Sequence, residues 1–304
     1  MGRNVTREHV VWCYRLLLGR EPESENVLEQ FMQASSPDAV VNTILQSQEF
    51  KSNHHAFAAH LVDKWAMIES SQGFLIWVNL AYAAISWPII DSEYEANETA
   101  FVLKYVRKGM TALDIGANIG FFSLLLGKAV GPSGKILGFE PLPLLHRYAV
   151  LSVAANSFAQ CQIPQVAVGE QRGRMRLLDH PASTNGGGAF LDCGGNHDAS
   201  LVATEVEVRL LSDFANGRVD FIKIDVEGAD NFVFRPYRDQ LMTHKPAVMS
   251  EVSPVQLAKV SGVSSGKYVS MFLDIGYDCV DLVSGRRVGR EGVQSLTNVI
   301  FLPK

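Results

Sequence analysis

TALDIGANIGFFSLLLGKAVGPSGKILGFEPLP, residues 111–143, carries the pattern from which the architecture of this chain follows. Ala112–Ile115 is a short apolar run of the kind that forms a parallel strand buried on both faces. Gly116-Ala117-Asn118-Ile119-Gly120 then demands a tight turn, where a side chain at either glycine would keep the backbone from a ligand. Phe121–Val130 supplies helical apolar content that Gly131-Pro132 terminates. Lys135–Phe139 is a second strand, and Glu140 stands at its carboxyl end, the edge at which doubly wound sheets bind ligands. A carboxylate in that place can accept both hydroxyls of a ribose. The unit predicts an α/β protein built on a doubly wound sheet.

The ligand class turns on two residues. A dinucleotide turn, G-x-G-x-x-G, seats a pyrophosphate on a helix N-terminus. Here Asn118 replaces the second glycine and Asp114 precedes the turn, so a carboxylate would repel a pyrophosphate. The same carboxylate suits a ligand carrying an amino group and a sulfonium. The DxGANxG…FEP pattern resembles motif I and the following acidic strand end of class I methyltransferases, which implies S-adenosylmethionine as cofactor. Asp114, Gly116, Ala117, Asn118, Gly120 and Glu140 are the implied cofactor residues. An ordinary βαβ unit with a purely structural turn stays open on this stretch alone.

VDFIKIDVEGAD, residues 219–230, narrows the family. With DIGANIG and FEPLP it resembles the FkbM-type methyltransferases, three motifs in that family's order over roughly Gly73–Pro303. The resemblance implies transfer of a methyl group to a hydroxyl of a sugar, glycan or secondary metabolite. The implied fold is a class I methyltransferase-like sheet, mostly parallel with an antiparallel closing strand. It also points to Glu95, beside Tyr94, as a group near the methionine end of the cofactor, and to Val168 as a neighbour of the adenine. Nitrogen or protein acceptors, a nicotinamide oxidoreductase and a silent cofactor-binding module are the competing readings. Asn118 and Asp114 oppose the oxidoreductase, and retention of Asp114, Glu140, Asp225 and Glu227 opposes the silent module.

Side chains alternate along a strand, so Lys223 and Asp225 share a face, with Glu227 just beyond. A lysine in an apolar strand is costly unless paired, and Asp225 is its natural partner. A structural ion pair and a catalytic group are both open readings of Asp225. Removing an alcohol's proton during methyl transfer calls for a base within hydrogen-bond reach. Asp225 ranks first, Glu227 and Glu251 are further candidates with Lys223 as the charge partner, and His180 and His197 come behind. The glycine-rich stretch 179–200 reads as a long loop for acceptor recognition, with Asn185 and Asp198 among its polar side chains. No metal is expected: Glu251-Val252-Ser253 stands where a magnesium-dependent relative would carry an Asp-Asn pair.

Composition sets the outer limits. The 304 residues carry a net charge of −5, 47% hydrophobic and 19% charged residues, ordinary for a globular protein and without the basic footprint of a nucleic-acid binder. The four cysteines, Cys13, Cys161, Cys193 and Cys279, have no C-x-x-C spacing, and residues 1–9 are polar. Free thiols, the absence of a leader and the cofactor together predict a cytoplasmic protein. Residues 73–90, GFLIWVNLAYAAISWPII, approach the length of a membrane span. Asn79, Pro88 and the aromatic and β-branched content instead favour two short strands turning near Asn79, with no transmembrane segment.

The chain reads as an N-terminal helical module, 1–70, followed by the S-adenosylmethionine-binding domain, 71–304. Helices are expected over Thr6–Gly19, around Val27–Met32, from Ser36-Pro37-Asp38 onward, and over Gln48–Ile68. YRLLLGREPE…ILQSQEF resembles a short helical module found in bacterial proteins, some of them glycan-handling enzymes. These helices offer a possible protein or membrane-surface contact, or simply a helical cap.

Overall fold

A computed structural model of the chain describes residues 5–47, 49–50, 64–82, 84–179, 188–192 and 200–304. By its contacts the chain divides into two compact units, Met1–Ile68 with Trp77–Tyr94, and Glu69–Ile76 with Glu95–Lys304.

The first unit opens with three helices, α1 (Arg7–Leu18), α2 (Glu25–Met32) and α3 (Pro37–Gln46). Local chemistry sets their ends. Thr6 Oγ1 accepts the His9 N–H at 3.3 Å while the Thr6 N–H donates to His9 Nδ1, a reciprocal cap. Gly19 closes α1 at φ 67°. Ser36 Oγ accepts the Ala39 N–H, with Pro37 in the first turn of α3. Val10, Tyr14 and Leu17 of α1 and Val40, Val41 and Ile44 of α3 are buried, giving each helix an apolar stripe. Beyond these helices come two paired strands, β1 (Trp65–Glu69) and β2 (Leu75–Asn79), and a one-turn helix, α4 (Ser86–Ile90).

Two expectations change here. Residues 48 and 51–63 of the expected helix over 48–68 lie outside the described residues, and its end is strand β1, whose partner Leu75–Asn79 is rich in β-formers. The apolar stretch 73–90 is one strand followed by helix α4, not two strands. Pro88 falls within the first turn of α4, where N–H groups have no intrahelical partner and a missing donor is harmless. Among the described residues, no helix is long and apolar enough to cross a membrane.

Besides Glu69–Ile76, the second unit comprises α5 (Ala96–Tyr105), followed by β3 (Thr111–Ile115), α6 (Phe121–Val130), β4 (Lys135–Phe139) and α7 (Pro143–Ala155). The next strands are β5 (Cys161–Gln162), β6 (Ala167–Val168), β7 (Gly173–Asp179), β8 (Phe190–Leu191), β9 (Val202–Arg209) and β10 (Phe221–Ile224). Two short helices, α8 (Asp230–Phe234) and α9 (Arg238–His244), are separated around Pro236. The chain closes with β11 (Ala247–Val252), α10 (Pro254–Val260), α11 (Ser265–Asp274), β12 (Tyr277–Asp281) and β13 (Thr297–Pro303).

Seven of these strands form one sheet in the order β12-β13-β11-β10-β3-β4-β5, parallel except for β13, which runs antiparallel to both neighbours. The chain starts at β3, winds outward to β5, then returns to β10 on the other side of β3. That reversal opens a crevice at the carboxyl ends of β3 and β10. The order and the antiparallel closing strand are those of a class I methyltransferase. α6 is buried around most of its circumference, and each large apolar side chain it buries contributes about 1.5–3 kcal/mol. On the far side of the sheet Phe272 stacks on Phe301 at 3.9 Å, with Phe234, Tyr268 and Tyr277 around them.

The sequence reads Ile163–Val168 as a third strand, but within that stretch only Ala167–Val168 is strand. Cys161–Gln162 edges the main sheet, whereas Ala167–Val168 joins a separate four-stranded sheet of order β6-β9-β7-β8. Pro164 lies between them; it has no N–H for a ladder, so the strand stops there.

Candidate functional site

The turn after β3 is held by its own backbone. The Gly116 and Ala117 N–H groups both donate to the Phe139 carbonyl, at 3.0 and 2.9 Å. Gly116 (φ 84°), Asn118 (φ 53°) and Gly120 (φ 90°) all take the left-handed conformation. A Cβ on Gly116 would run into the Asp225 carbonyl oxygen, and one on Gly120 would meet Ala149 of α7 at 3.1 Å. Glycine is therefore needed here for close approach of neighbouring protein segments. Asn118 tolerates the strain because its Oδ1 accepts the Ile119 N–H at 2.7 Å.

Glu140 organises the far side of the turn. Its Oε2 accepts the Asn118 N–H at 2.9 Å and its Oε1 accepts the Leu142 N–H at 2.8 Å. Burial pushes its carboxyl up to about 8, although both amides pull it down. Hydroxyl donors from a ribose diol would stabilise its charged form further. Gly116, Asn118, Glu140, Leu142 and Val168 line one cleft together with Asp225 and Glu227, and Leu177 and Leu191 of the second sheet supply an apolar wall. A buried carboxylate beside an apolar wall fits a nucleoside, with ribose on the acid and base on the aliphatic side.

The carboxyl end of β10 carries the acids. Lys223 Nζ pairs with Asp225 Oδ2 at 3.4 Å and lies 5.1 Å from the centre of the Phe122 ring. Burial alone would lower the Lys223 ammonium, but Asp225, Asp114, Glu95 and Glu251 outweigh it and hold the ammonium above its ordinary range. Asp114 is fully buried in β3, opposite Lys223 in the register, and accepts the Ser123 hydroxyl at 2.6 Å. Burial raises its pKa while Lys223 opposes the rise. Glu227 (φ 51°) accepts from Gln256 Nε2 at 3.3 Å. Burial pushes its carboxyl up to about 7, with Asp225 adding to the shift. Burial likewise pushes Glu251 up to about 8, reinforced by Asp225, Glu227 and Glu95.

The predicted residues thus fall into three groups. Gly116, Asn118, Glu140, Val168, Asp225 and Glu227 line the cleft. Asp114, Lys223, Glu95 and Glu251 form the charge cluster with Asp225, while Ala117 and Gly120 shape the turn. Glu251 lies within β11 rather than just past its end. His180, Asn185, His197 and Asp198 lie outside the described residues. Sequence reading missed Gln256, which holds Glu227, and Asp230, buried with Oδ1 3.1 Å from the Ser250 hydroxyl. An acid inside VEGAD is visible in the sequence, whereas the approach of α10 to that loop is not.

Fold and site together define a class I methyltransferase. The Methyltransferase FkbM domain family matches residues 114–279, more than half of the chain. The protein belongs to the FkbM methyltransferase family, and its cofactor is S-adenosylmethionine. Among solved structures, the FkbM methyltransferase of Methylobacillus flagellatus KT is 16% identical with a TM-score of 0.40, aligned over 67% of this chain and 50% of the other. This chain thus spans half the length of that protein. An S-adenosylmethionine-dependent O-methyltransferase from Thermotoga maritima is 13% identical with a TM-score of 0.39, over 78% and 77%. An rRNA-methylase described as putative, from Clostridium thermocellum, is 8% identical with a TM-score of 0.43, over 69% and 96%. No curated protein shows significant similarity to the chain.

Proposed function

We propose that the protein methylates a hydroxyl of a sugar, glycan or secondary metabolite, with Glu227 as the base and Asp225, held by Lys223, orienting the acceptor. The observation that carries this reading is the placement of Asp225 and Glu227 in the same cleft as Glu140, with the Glu227 carboxyl raised to about 7. A base is most useful when its pKa lies near the working pH, and an alcohol, unlike a free amine, must lose a proton as its oxygen is alkylated. Ranking by sequence places Asp225 first. Its ion pair with Lys223 suits a positioning role, and Glu227 takes the proton-accepting one.

S-Adenosylmethionine, when bound, supplies an electrophilic methyl group on a sulfonium. Glu140 would hold the ribose, Val168 and Leu142 would flank the adenine, and Glu95 with the Asn118 turn would face the methionine end. Asp225 fixes the acceptor hydroxyl by hydrogen bond, and Glu227 takes its proton as the new bond forms. Alignment of that oxygen is worth several kcal/mol, on the order of 7 or more in favourable cases.

The experiment is methyl transfer to a panel of neutral glycosides and matched amino sugars, followed by mass spectrometry. Methylation of oxygen in the wild type, reduced about a hundredfold in Glu227→Gln, supports the reading. Methylation confined to nitrogen, or an unchanged rate in the variant, would overturn it.

A further inference from the structure

Asp225, Glu227 and Glu140 line the cleft, and the carboxyl groups coupled to Asp225 and Glu227 outnumber the cation that faces them. Glu95 comes from the start of α5, Asp114 from β3, Asp225 and Glu227 from the loop after β10, Asp230 from the first position of α8, and Glu251 from β11. Among the described residues, the cation acting on this cluster is Lys223, on β10, 3.4 Å from Asp225. Behind the cluster, Ser250 Oγ lies 3.1 Å from Asp230 and 3.0 Å from the Tyr268 hydroxyl of α11, with Cys279 of β12 acting on Tyr268. These are neutral groups that add no positive charge. Asp114 Oδ1, fully buried, has no hydrogen-bond partner among the described residues. Asp225 and Glu227 open onto the cleft that Glu140 lines, the place of the cofactor.

We infer that this excess of carboxyls makes the cleft select the charged sulfonium cofactor over its neutral thioether product, so that the spent cofactor is expelled by loss of a positive charge. S-Adenosylmethionine and S-adenosylhomocysteine share the adenosine, the amino group and the carboxylate. They differ in the methyl group and the positive charge on sulfur, so the charge cluster acts on that difference. The crowding of like charges also raises Glu227 to about 7 and Glu251 to about 8, with burial the larger cause. A cation placed among these carboxyls favours their ionised forms. Binding of the sulfonium compound therefore releases protons below about pH 8, and its affinity rises with pH through this range. Glu140, also raised to about 8, faces the ribose that both compounds carry, so its proton release is common to them, and the thioether lacks the further pull of the sulfonium charge on Glu227 and Glu251. The selectivity consequently increases from about pH 6 to about pH 9, about tenfold for each pH unit by which the sulfonium lowers a carboxyl pKa.

The test is calorimetric titration of the full chain with each compound between about pH 6 and about pH 9, in chelator and in buffers of different ionisation enthalpy. A primary-amine analogue of the sulfonium serves as a third ligand, charged but without a transferable methyl. The expected result is a ratio of dissociation constants that moves toward the sulfonium compound by tenfold or more over this range, with more protons released on its binding than on binding of the thioether, whose release is confined to Glu140. The amine analogue should follow the sulfonium. Glu251→Gln, an isosteric change that removes one charge, should reduce the pH dependence of the ratio severalfold. A ratio independent of pH in the wild type, or an amine analogue that behaves like the thioether, would overturn the inference without touching the hydroxyl-acceptor reading, which this binding experiment does not use. Failure of every acceptor would leave these binding results intact.

Discussion

Two loops at the carboxyl edge of adjacent parallel strands, Gly116–Gly120 after β3 and Asp225–Gly228 after β10, use the same backbone device for opposite purposes. Both hold a non-glycine residue in the left-handed region, Asn118 in the first and Glu227 in the second, and both carry glycines there. In the first loop the polar groups are turned inward. The Gly116, Ala117, Asn118 and Ile119 amides are all bonded within the protein. In the second, the strained residue presents a carboxyl to the cleft, raised to about 7 and steadied by Gln256. The first loop is rigid scaffold for a ligand. The second stores charge. Local strain that the surrounding fold fixes in place clusters where function needs a pre-set geometry.

Gly116→Ala should disturb both loops most severely, because they touch at that point. The added Cβ collides with the Asp225 carbonyl oxygen and the residue sits at φ 84°. Left-handed strain and overpacking together should cost about 3–4 kcal/mol, read as a fall in stability by urea unfolding. Glu140→Ala tests whether the first loop is a binding scaffold. It removes the acceptor for two amides and for the ribose, and should weaken S-adenosylmethionine about a hundredfold by calorimetry. An unchanged affinity would mean that the ribose lies elsewhere.

Both loops should respond to pH, the first through Glu140, whose carboxyl burial pushes up to about 8, and the second through Glu227 with its neighbour Glu251. Glu227 and Glu251 have carboxyls raised above their unfolded value, to about 7 and about 8. The folded state therefore binds more protons than the unfolded one between about pH 4.5 and 8. Their contribution to stability is present at low pH and lost as pH rises through that window. The protein without cofactor should be less stable at pH 9 than at pH 6, by on the order of 2 kcal/mol, and Glu251→Gln should flatten the decline. Chemical unfolding at a series of pH values would show it, and a rise with pH would refute the charge crowding. Gln256→Ala carries the smallest effect. Losing its hydrogen bond should raise the Glu227 pKa further and cost about 1 kcal/mol, visible as an alkaline shift of the carboxyl resonance by NMR.

Much of this architecture is legible in the amino-acid order alone. Thr111–Ile115 and Lys135–Phe139 are apolar runs that have no other stable place than the interior of a parallel sheet, and they occupy it. The helix caps at Thr6, Gly19 and Ser36 are local events, decided by side chains within three residues of the backbone they satisfy. Expectations failed where the deciding neighbour was remote. Ile163–Val168 reads as one strand, yet only Ala167–Val168 is strand, and it pairs with the remote β9 in a separate sheet. Residues 80–90 look like a second strand by composition, yet Ser86–Ile90 is a helical turn. At the glycines, the need for a small residue is visible, but its cause is not: Gly116 answers to Asp225, more than a hundred residues away in the chain.

Runs of adjacent residues dictate the family, the strand–turn–helix unit and the identity of the acids at the strand ends, because each has a short-range physical meaning. How those acids act is a matter of packing between distant segments. Register places Asp114 opposite Lys223, the strand end pairs Lys223 with Asp225, and α10 brings Gln256 to Glu227. Burial then sets the protonation of Glu227 and Glu251. A carboxyl's pKa depends on its distance from other charges and from water, and in this site those distances arise between segments far apart along the chain.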